Sequence, residues 1–125
     1  MPSTPLQRND LLSKRLKTIL QTSYDLEALA LVGLNGDDIA SALPPNIDAE
    51  RFGSMALAAF SLSEQIGSEL QRRALEQLFI RGDRGFIVLM PFDDQSLLVA
   101  LARENAKPGL IILELQRAVK ELLKK

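Results

Sequence analysis

The sequence contains no cysteine, no histidine and no tryptophan. The missing cysteine excludes disulfides and thiolate chemistry, and the missing histidine removes the usual general base and the commonest metal ligand. Aromatic residues make up only 5% of the chain, so we predict no basic-aromatic surface for stacking nucleic-acid bases. We therefore expect no metal, no cofactor, no catalytic residue and no nucleic-acid partner.

Acidic pairs and glycines remain as candidates for chemistry. Asp37-Asp38 and Asp93-Asp94 both fall in predicted hairpin turns, where aspartate is common because it bonds to its own backbone. Neither pair has the spaced oxygen ligands of a calcium loop. Gly82 to Gly85 lies between two predicted strands, which favours a tight turn over a phosphate cradle. Since no GxxxxGK[ST] sequence is present, the chain is not itself a P-loop GTPase.

Length and charge predict one cytoplasmic, soluble domain. The chain has 125 residues, 46% of them apolar, and a formal net charge of −1. We interpret residues 1–5 as a flexible lead-in and residues 6–125 as the domain. No apolar run is long enough to cross a bilayer, so direct membrane insertion is not expected. The basic side of the first helix, with Lys14, Arg15 and Lys17, is interpreted as a solvated face and not as a membrane-binding patch.

The spacing of apolar residues and the turn signals predict the element order α-β-β-α-β-β-β-α. Asn35-Gly36 favours a hairpin turn between the first two strands, and Asp48 is placed to cap the second helix. The predicted helices are 6–21, 48–72 and 108–123, and the predicted strands are 26–32, 39–43, 75–81, 86–92 and 97–102.

Strand composition also predicts the sheet order. Strands covered on both faces are continuously apolar, which makes the first, fourth and fifth strands central. The second and third strands are more polar and belong at the edges. An antiparallel sheet of order 2-1-5-4-3 with helices on both faces satisfies these conditions, and we predict this single-domain α/β (α+β) fold.

The third strand predicts a homodimer. Residues 75–80 contain neither proline nor lysine, so this edge exposes unpaired backbone groups to a partner strand. On the second helix, the apolar row that begins with Phe52 and Met55 is expected to face the sheet, and a second row is expected to pack against another copy. The predicted dimer interface comprises Gly53, Leu57, Phe60, Gly67, Leu75, Gln77 and Phe79.

A third row on the second helix is small and polar throughout. Two interpretations stay open: an ordinary solvated face, or a low platform that admits the loops of a partner near the dimer axis. The partner-binding residues of the second interpretation are Ser54, Ala58, Ser61, Gln65 and Ser68.

Three segments together resemble the Roadblock family, over about residues 11–122. They are LALVGLNGDDIASAL, FGSMALAAFSLSEQIGSEL and GFIVLMPFDDQSLLVALARENAKPGLIILELQRAVKEL. The resemblance implies a profilin-like or Roadblock-like fold, and a dimer with one sheet continuous across the third strands. It also implies a Ras-like small GTPase as partner, bound by a non-catalytic regulator or scaffold that modulates its nucleotide state or localisation.

One other function remains open from the sequence. PAS- and GAF-like small-molecule sensors also place helices around five-stranded antiparallel sheets, and they need a cavity lined by apolar and a few polar groups. A hydrolase is disfavoured, because the chain has no histidine and no nucleophile elbow.

Overall fold

The computed structural model describes residues 5–72 and 74–124 of the chain, with side chains from Asp10 onward. It contains three helices and five strands in the predicted order. The helices are α1 (Pro5–Thr22), α2 (Ala49–Glu69) and α3 (Pro108–Leu123), and the strands are β1 (Leu26–Gly33), β2 (Asp38–Ala42), β3 (Leu78–Gly82), β4 (Gly85–Asp93) and β5 (Ser96–Arg103).

The five strands form one antiparallel sheet of order β2-β1-β5-β4-β3, as the sequence predicted. In the middle of the sheet, Ala30 pairs with Val99, and Val99 pairs with Leu89 on its other side. Because β1, β4 and β5 are buried on both faces, their apolar runs form the centre of the protein. The two more polar strands lie at the edges.

Two apolar cores lie on opposite faces of the sheet. On one face, α1 and α3 bury Leu16, Ile111 and Leu115 against the strands. On the other face, α2 alone buries Ala56 and Phe60. The sheet is therefore covered by two helices on one side and by one on the other.

The element boundaries differ from the prediction mainly at β3. The strand was expected to begin at Leu75, but it begins at Leu78, and Leu75 packs against the α2-side core as part of the preceding irregular segment. At the start of the chain, residues 1–4 of the predicted lead-in lie outside the described residues, and Pro5 already belongs to α1.

Candidate partner-binding surface

Asp48 starts α2 as the sequence predicted. Its side chain accepts hydrogen bonds from the backbone N–H groups of Glu50 and Arg51, at N···O distances of 3.0 and 3.4 Å. These bonds satisfy two of the N–H groups that have no partner within the helix at its N-terminus. The cap therefore fixes where the helix begins.

The side of α2 that faces the sheet is the one with glycines. Gly53, Ala56, Phe60 and Gly67 are buried there, and Leu57 packs beside them. A Cβ atom on Gly53 would lie 3.0 Å from the carbonyl oxygen of Gly36 in the β1–β2 turn, so glycine allows the helix to approach this turn closely.

This orientation overturns one expectation from the sequence. The row expected to face the sheet comprises Phe52, Met55, Ala59, Leu62, Ile66 and Leu70. Phe52 does pack against the α2-side core, but Met55, Leu62, Ile66 and Leu70 are each more than half exposed. The predicted interface residues Gly53, Phe60 and Gly67 are buried within the protomer, on the side of α2 that faces the sheet. The physical reason is close packing: the glycine side fits against the sheet, and the bulkier side is left outside.

The exposed apolar residues form a distinct side of α2. At 100° per residue, Met55, Leu62 and Ile66 fall within a narrow arc, and Leu70 continues it at the C-terminal end. Leu62, Ile66 and Leu70 line a shallow groove together with Gln65 and Glu69. We call the row of Met55, Leu62, Ile66 and Leu70 the apolar row.

The five residues assigned to partner binding lie on the other exposed side of α2. All of them are exposed, and none has a side chain longer than that of glutamine. We call this side the small polar row: Ser54, Ala58, Ser61, Gln65 and Ser68. The exposed part of the helix thus carries two rows, which meet at Gln65 beside Leu62 and Ile66.

The edge strand β3 is open along the side that does not pair with β4. Leu78 and Ile80 pair with Leu89 and Ile87, which belong to the α2-side core, so both point to the face that carries α2. Phe79 points to the other face. Of the predicted interface residues here, Leu75 and Gln77 are half-buried and directly precede the strand.

Asp37, Asp38 and Asp93 accept hydrogen bonds in or beside their turns. At the β1–β2 turn, the Asp37 carboxylate accepts from the side-chain amide of Asn35 at 2.8 Å, and the Asp38 carboxylate accepts from the Ser41 hydroxyl at 3.1 Å. In the β4–β5 turn, Asp93 accepts hydrogen bonds from the Gln95 backbone N–H and the Ser96 hydroxyl, at 2.9 and 2.6 Å. Within residues 5–72 and 74–124, no group of three or more acidic residues is arranged to hold a metal ion.

The interior is apolar. Among the residues whose burial is described, Ser96 is the one buried polar side chain, and Asp93 already occupies its hydroxyl. A small-molecule sensor needs a few polar groups directed into its cavity. Among the residues with described burial, no further polar side chain is buried in the interior.

A five-stranded antiparallel sheet of this order, with two helices on one face and one on the other, defines a single-domain α/β protein of the profilin-like class. The sequence profile of the Roadblock/LC7 domain matches residues 14–102, which is more than half of the chain. The chain belongs to the Roadblock/LC7 family.

The chain is also similar to individual proteins. An uncharacterized protein of Methanocaldococcus jannaschii, MJ0714, is 40% identical over 92 residues, which cover 74% of this chain and 77% of the relative. Two solved structures share the fold at low identity. The Roadblock/LC7 domain from Streptomyces avermitilis has a TM-score of 0.81 at 15% identity, covering 88% of this chain and 92% of that one. The gliding protein MglB from Thermus thermophilus has a TM-score of 0.77 at 16% identity, covering 98% and 90%.

Over the described residues, no helix is both long and apolar enough to cross a bilayer.

Proposed function

We propose that this chain is a non-catalytic, homodimeric regulator or scaffold that binds a Ras-like small GTPase in the cytoplasm. The observation that carries the proposal is the division of the exposed surface of α2. One side is an apolar row that a monomer would leave in water, and the other is a small polar row without long side chains. A continuous exposed apolar row on a soluble protein is typical of an interaction site.

A second copy of the chain is the proposed cover for the apolar row. Antiparallel pairing of two β3 strands about a two-fold axis would join the two sheets and satisfy the open backbone groups of both edges. It would also bring the two α2 helices together, since Leu78 and Ile80 lie on the same face of the sheet as α2.

The proposed interface therefore differs from the one first inferred. Met55, Leu62, Ile66 and Ile80 take the place of Gly53, Phe60 and Gly67, which pack within the protomer. Leu57 packs beside the core of its own protomer and leaves the proposed interface. Phe79, in β3, and Leu75 and Gln77, in the segment before it, remain part of the proposed interface because they lie along the pairing edge.

In such a dimer the two small polar rows would form one low platform for the GTPase. The switch regions of a Ras-like GTPase change shape with the γ-phosphate, so a partner that contacts them distinguishes the two nucleotide states. Preferential binding to one state shifts the GTPase toward that state by linkage, without a catalytic group from this chain. Family membership supports this proposal, since the Roadblock resemblance implies such a partner.

The test is a titration with the GTPase itself. The tagged chain is used to capture a Ras-like GTPase from its own cells. That GTPase is then purified and loaded with GDP or with a non-hydrolysable GTP analogue. We expect binding to one loaded form at least about tenfold tighter than to the other, which corresponds to about 1.4 kcal/mol of coupling. Absence of binding to both loaded forms would refute the proposal.

A further inference from the structure

The two faces of the protein carry opposite charge. The layer formed by α1 and α3 contains seven basic and three acidic residues between 10–22 and 107–124, a net charge of +4. The α2 segment, 48–72, contains two basic and four acidic residues, a net charge of −2. The overall charge of −1 hides this separation. The sequence alone predicted that the basic side of α1 is an ordinary solvated face. The fold places the basic helix α3 beside it.

The helices α1 and α3 lie antiparallel and side by side. A guanidinium nitrogen of Arg15 lies 3.5 Å from the carbonyl oxygen of Lys124, and the Ser23 hydroxyl donates to the Glu114 carboxylate at 2.8 Å. Both helices bury their apolar side against the same sheet. Their outer sides therefore form one broad, shallow surface.

The cations are on the outside of this surface. All are exposed: Lys14, Arg15, Lys17, Lys107, Arg117, Lys120 and Lys124. The acidic residues neutralise this positive charge only in part. Glu121 pairs with one cation, Lys124, at 3.3 Å, and Glu114 accepts a hydrogen bond from the uncharged Ser23 hydroxyl. The cationic outer surface is thus open to a large, negatively charged partner.

Leucines lie among these cations. Leu11, Leu110 and Leu113 are each about half exposed, at 51%, 52% and 50%. On α3, steps of three and four residues place Leu110 and Leu113 in one outward row with Arg117, Lys120 and Lys124. Cations combined with protruding leucines are typical of helices that lie in the interface of an anionic bilayer, where the leucines reach the boundary between headgroups and acyl chains.

We propose that the outer face of α1 and α3 is a peripheral docking surface for an anionic lipid bilayer. The charge attracts the headgroups, and the leucines favour a lipid surface over an acidic protein or a nucleic acid, neither of which offers an apolar layer beneath its charges. The surface is complete in one chain. If the chain also dimerises through β3 as proposed above, both copies of this face point the same way, and the α2 platform points away from the membrane.

The experiment is vesicle flotation with the full chain. Vesicles of phosphatidylcholine alone are compared with vesicles that also contain phosphatidylglycerol. We expect binding only to the second, weakening as salt is raised, because screening shortens the reach of the charges to about 10 Å at 0.1 M salt. Equal binding to both vesicle types, or binding to neither, would overturn the proposal.

Two double variants with equal changes in net charge test whether the cations of α1 and α3 bind the vesicles. Lys14→Glu with Lys120→Glu reverses one cation on each outer helix and should weaken binding to anionic vesicles at least about tenfold, since each basic residue near such a surface contributes roughly a factor of five. Arg51→Glu with Arg84→Glu changes the net charge equally, away from this face, and should leave binding within about twofold. Similar loss in both double variants would show a general charge effect and contradict a defined surface.

The leucines distinguish lipid from other polyanions. Leu110→Gln with Leu113→Gln keeps every charge and should weaken vesicle binding, while leaving any weak binding to polyglutamate or to duplex DNA unchanged. If this variant binds vesicles like the unchanged protein, or if polyglutamate or DNA binds as tightly as the vesicles, the lipid assignment fails. Circular dichroism checks that each variant is folded. No GTPase is present in these assays, so their failure is separate from failure of the proposed function.

Discussion

The rings of Phe79 on β3 and Phe86 on β4 stack with their centroids 4.7 Å apart and their planes inclined by 26°. Phe86 is buried, and Phe79 covers it from the edge strand, on the face opposite α2. The side chain of Phe79, which the sequence assigned to the dimer interface, therefore already has a partner within its own protomer.

Phe79→Ala should lower the free energy of unfolding by about 1–3 kcal/mol, because it removes the stacked ring and uncovers Phe86. Phe79→Tyr keeps the stack and should change stability by less than about 0.5 kcal/mol. Urea denaturation at one fixed protein concentration measures both. Equal stability of the alanine variant and the unchanged protein would contradict this role of Phe79.

Charges on the two sides of α2 should have different effects. Ile66→Glu or Leu62→Glu should give a folded monomer, because a charge in the apolar row opposes burial by a second copy but leaves the core intact. Phe60→Glu, whose side chain lies in the core, should unfold the protomer. Light scattering and circular dichroism distinguish these outcomes, and Ser61→Glu, next to Leu62 but in the small polar row, should remain dimeric. A monomeric unchanged protein at tens of micromolar would refute the dimer.

Long charged side chains in the small polar row should block the GTPase. Ala58→Arg and Ser61→Arg are expected to reduce its affinity by at least about tenfold, since hot-spot contacts at an interface are each worth about 2 kcal/mol. Gln116→Arg adds the same charge on α3, on the opposite face of the sheet, and should bind normally. Isothermal titration with the loaded GTPase gives the affinities. Loss of binding in Gln116→Arg, with normal binding in the other two, would move the GTPase to the layer of α1 and α3.

Two glycines should respond oppositely to alanine. Gly85 has a φ of +138°, and a Cβ atom there would collide with the carbonyl oxygen of Ala102 on β5, so Gly85→Ala should cost about 2–4 kcal/mol. Gly109 lies in the first turn of α3, and an added Cβ would meet no atom within 4 Å apart from its chain neighbours and the backbone of its own helix, so Gly109→Ala should be neutral or stabilise by up to about 1 kcal/mol. Thermal unfolding reports both changes, and a destabilised Gly109→Ala would contradict the open space seen there.

The cap of α2 gives a further test. Asp48→Ala should cost about 0.5–2 kcal/mol, because the backbone N–H groups of Glu50 and Arg51 lose their acceptor. Asp48→Asn retains a side-chain oxygen and should lose much less. Urea denaturation of the two variants decides between loss of the cap and a role for the negative charge.

The sheet order could be predicted from the sequence because burial on both faces leaves a direct mark on composition. Continuous apolar runs in β1, β4 and β5 identified the central strands, and the more polar β2 and β3 then had to be edges. The exact start of β3 could not be predicted. Leu75 and Leu78 both pack against the same core, and only the ladder with β4 shows that the second begins the strand.

The orientation of α2 could not be obtained in the same way. The helix has two rows that are both apolar enough to be buried: the side with Gly53 and Phe60, and the apolar row. Hydrophobic spacing alone does not show which of the two packs against the sheet of the same chain. The decisive signal was the pair Gly53 and Gly67 flanking Phe60: small residues mark a close approach, but the partner in that approach was taken to be another helix. The small polar row was found from the sequence because its exposure does not depend on that choice.

The open edge of β3 also affects which second chain can pair with this one in a dimer. Main-chain hydrogen bonds between two edge strands are nearly the same whatever the sequence, so they hold copies together without recognising them. In the proposed dimer, recognition would fall to the few side chains of the apolar row. Where a genome encodes several chains of this fold, substitutions at Met55, Leu62 and Ile66 would suffice to determine which chains form a dimer with each other. New combinations of subunits could then arise without any change in the strands of the sheet.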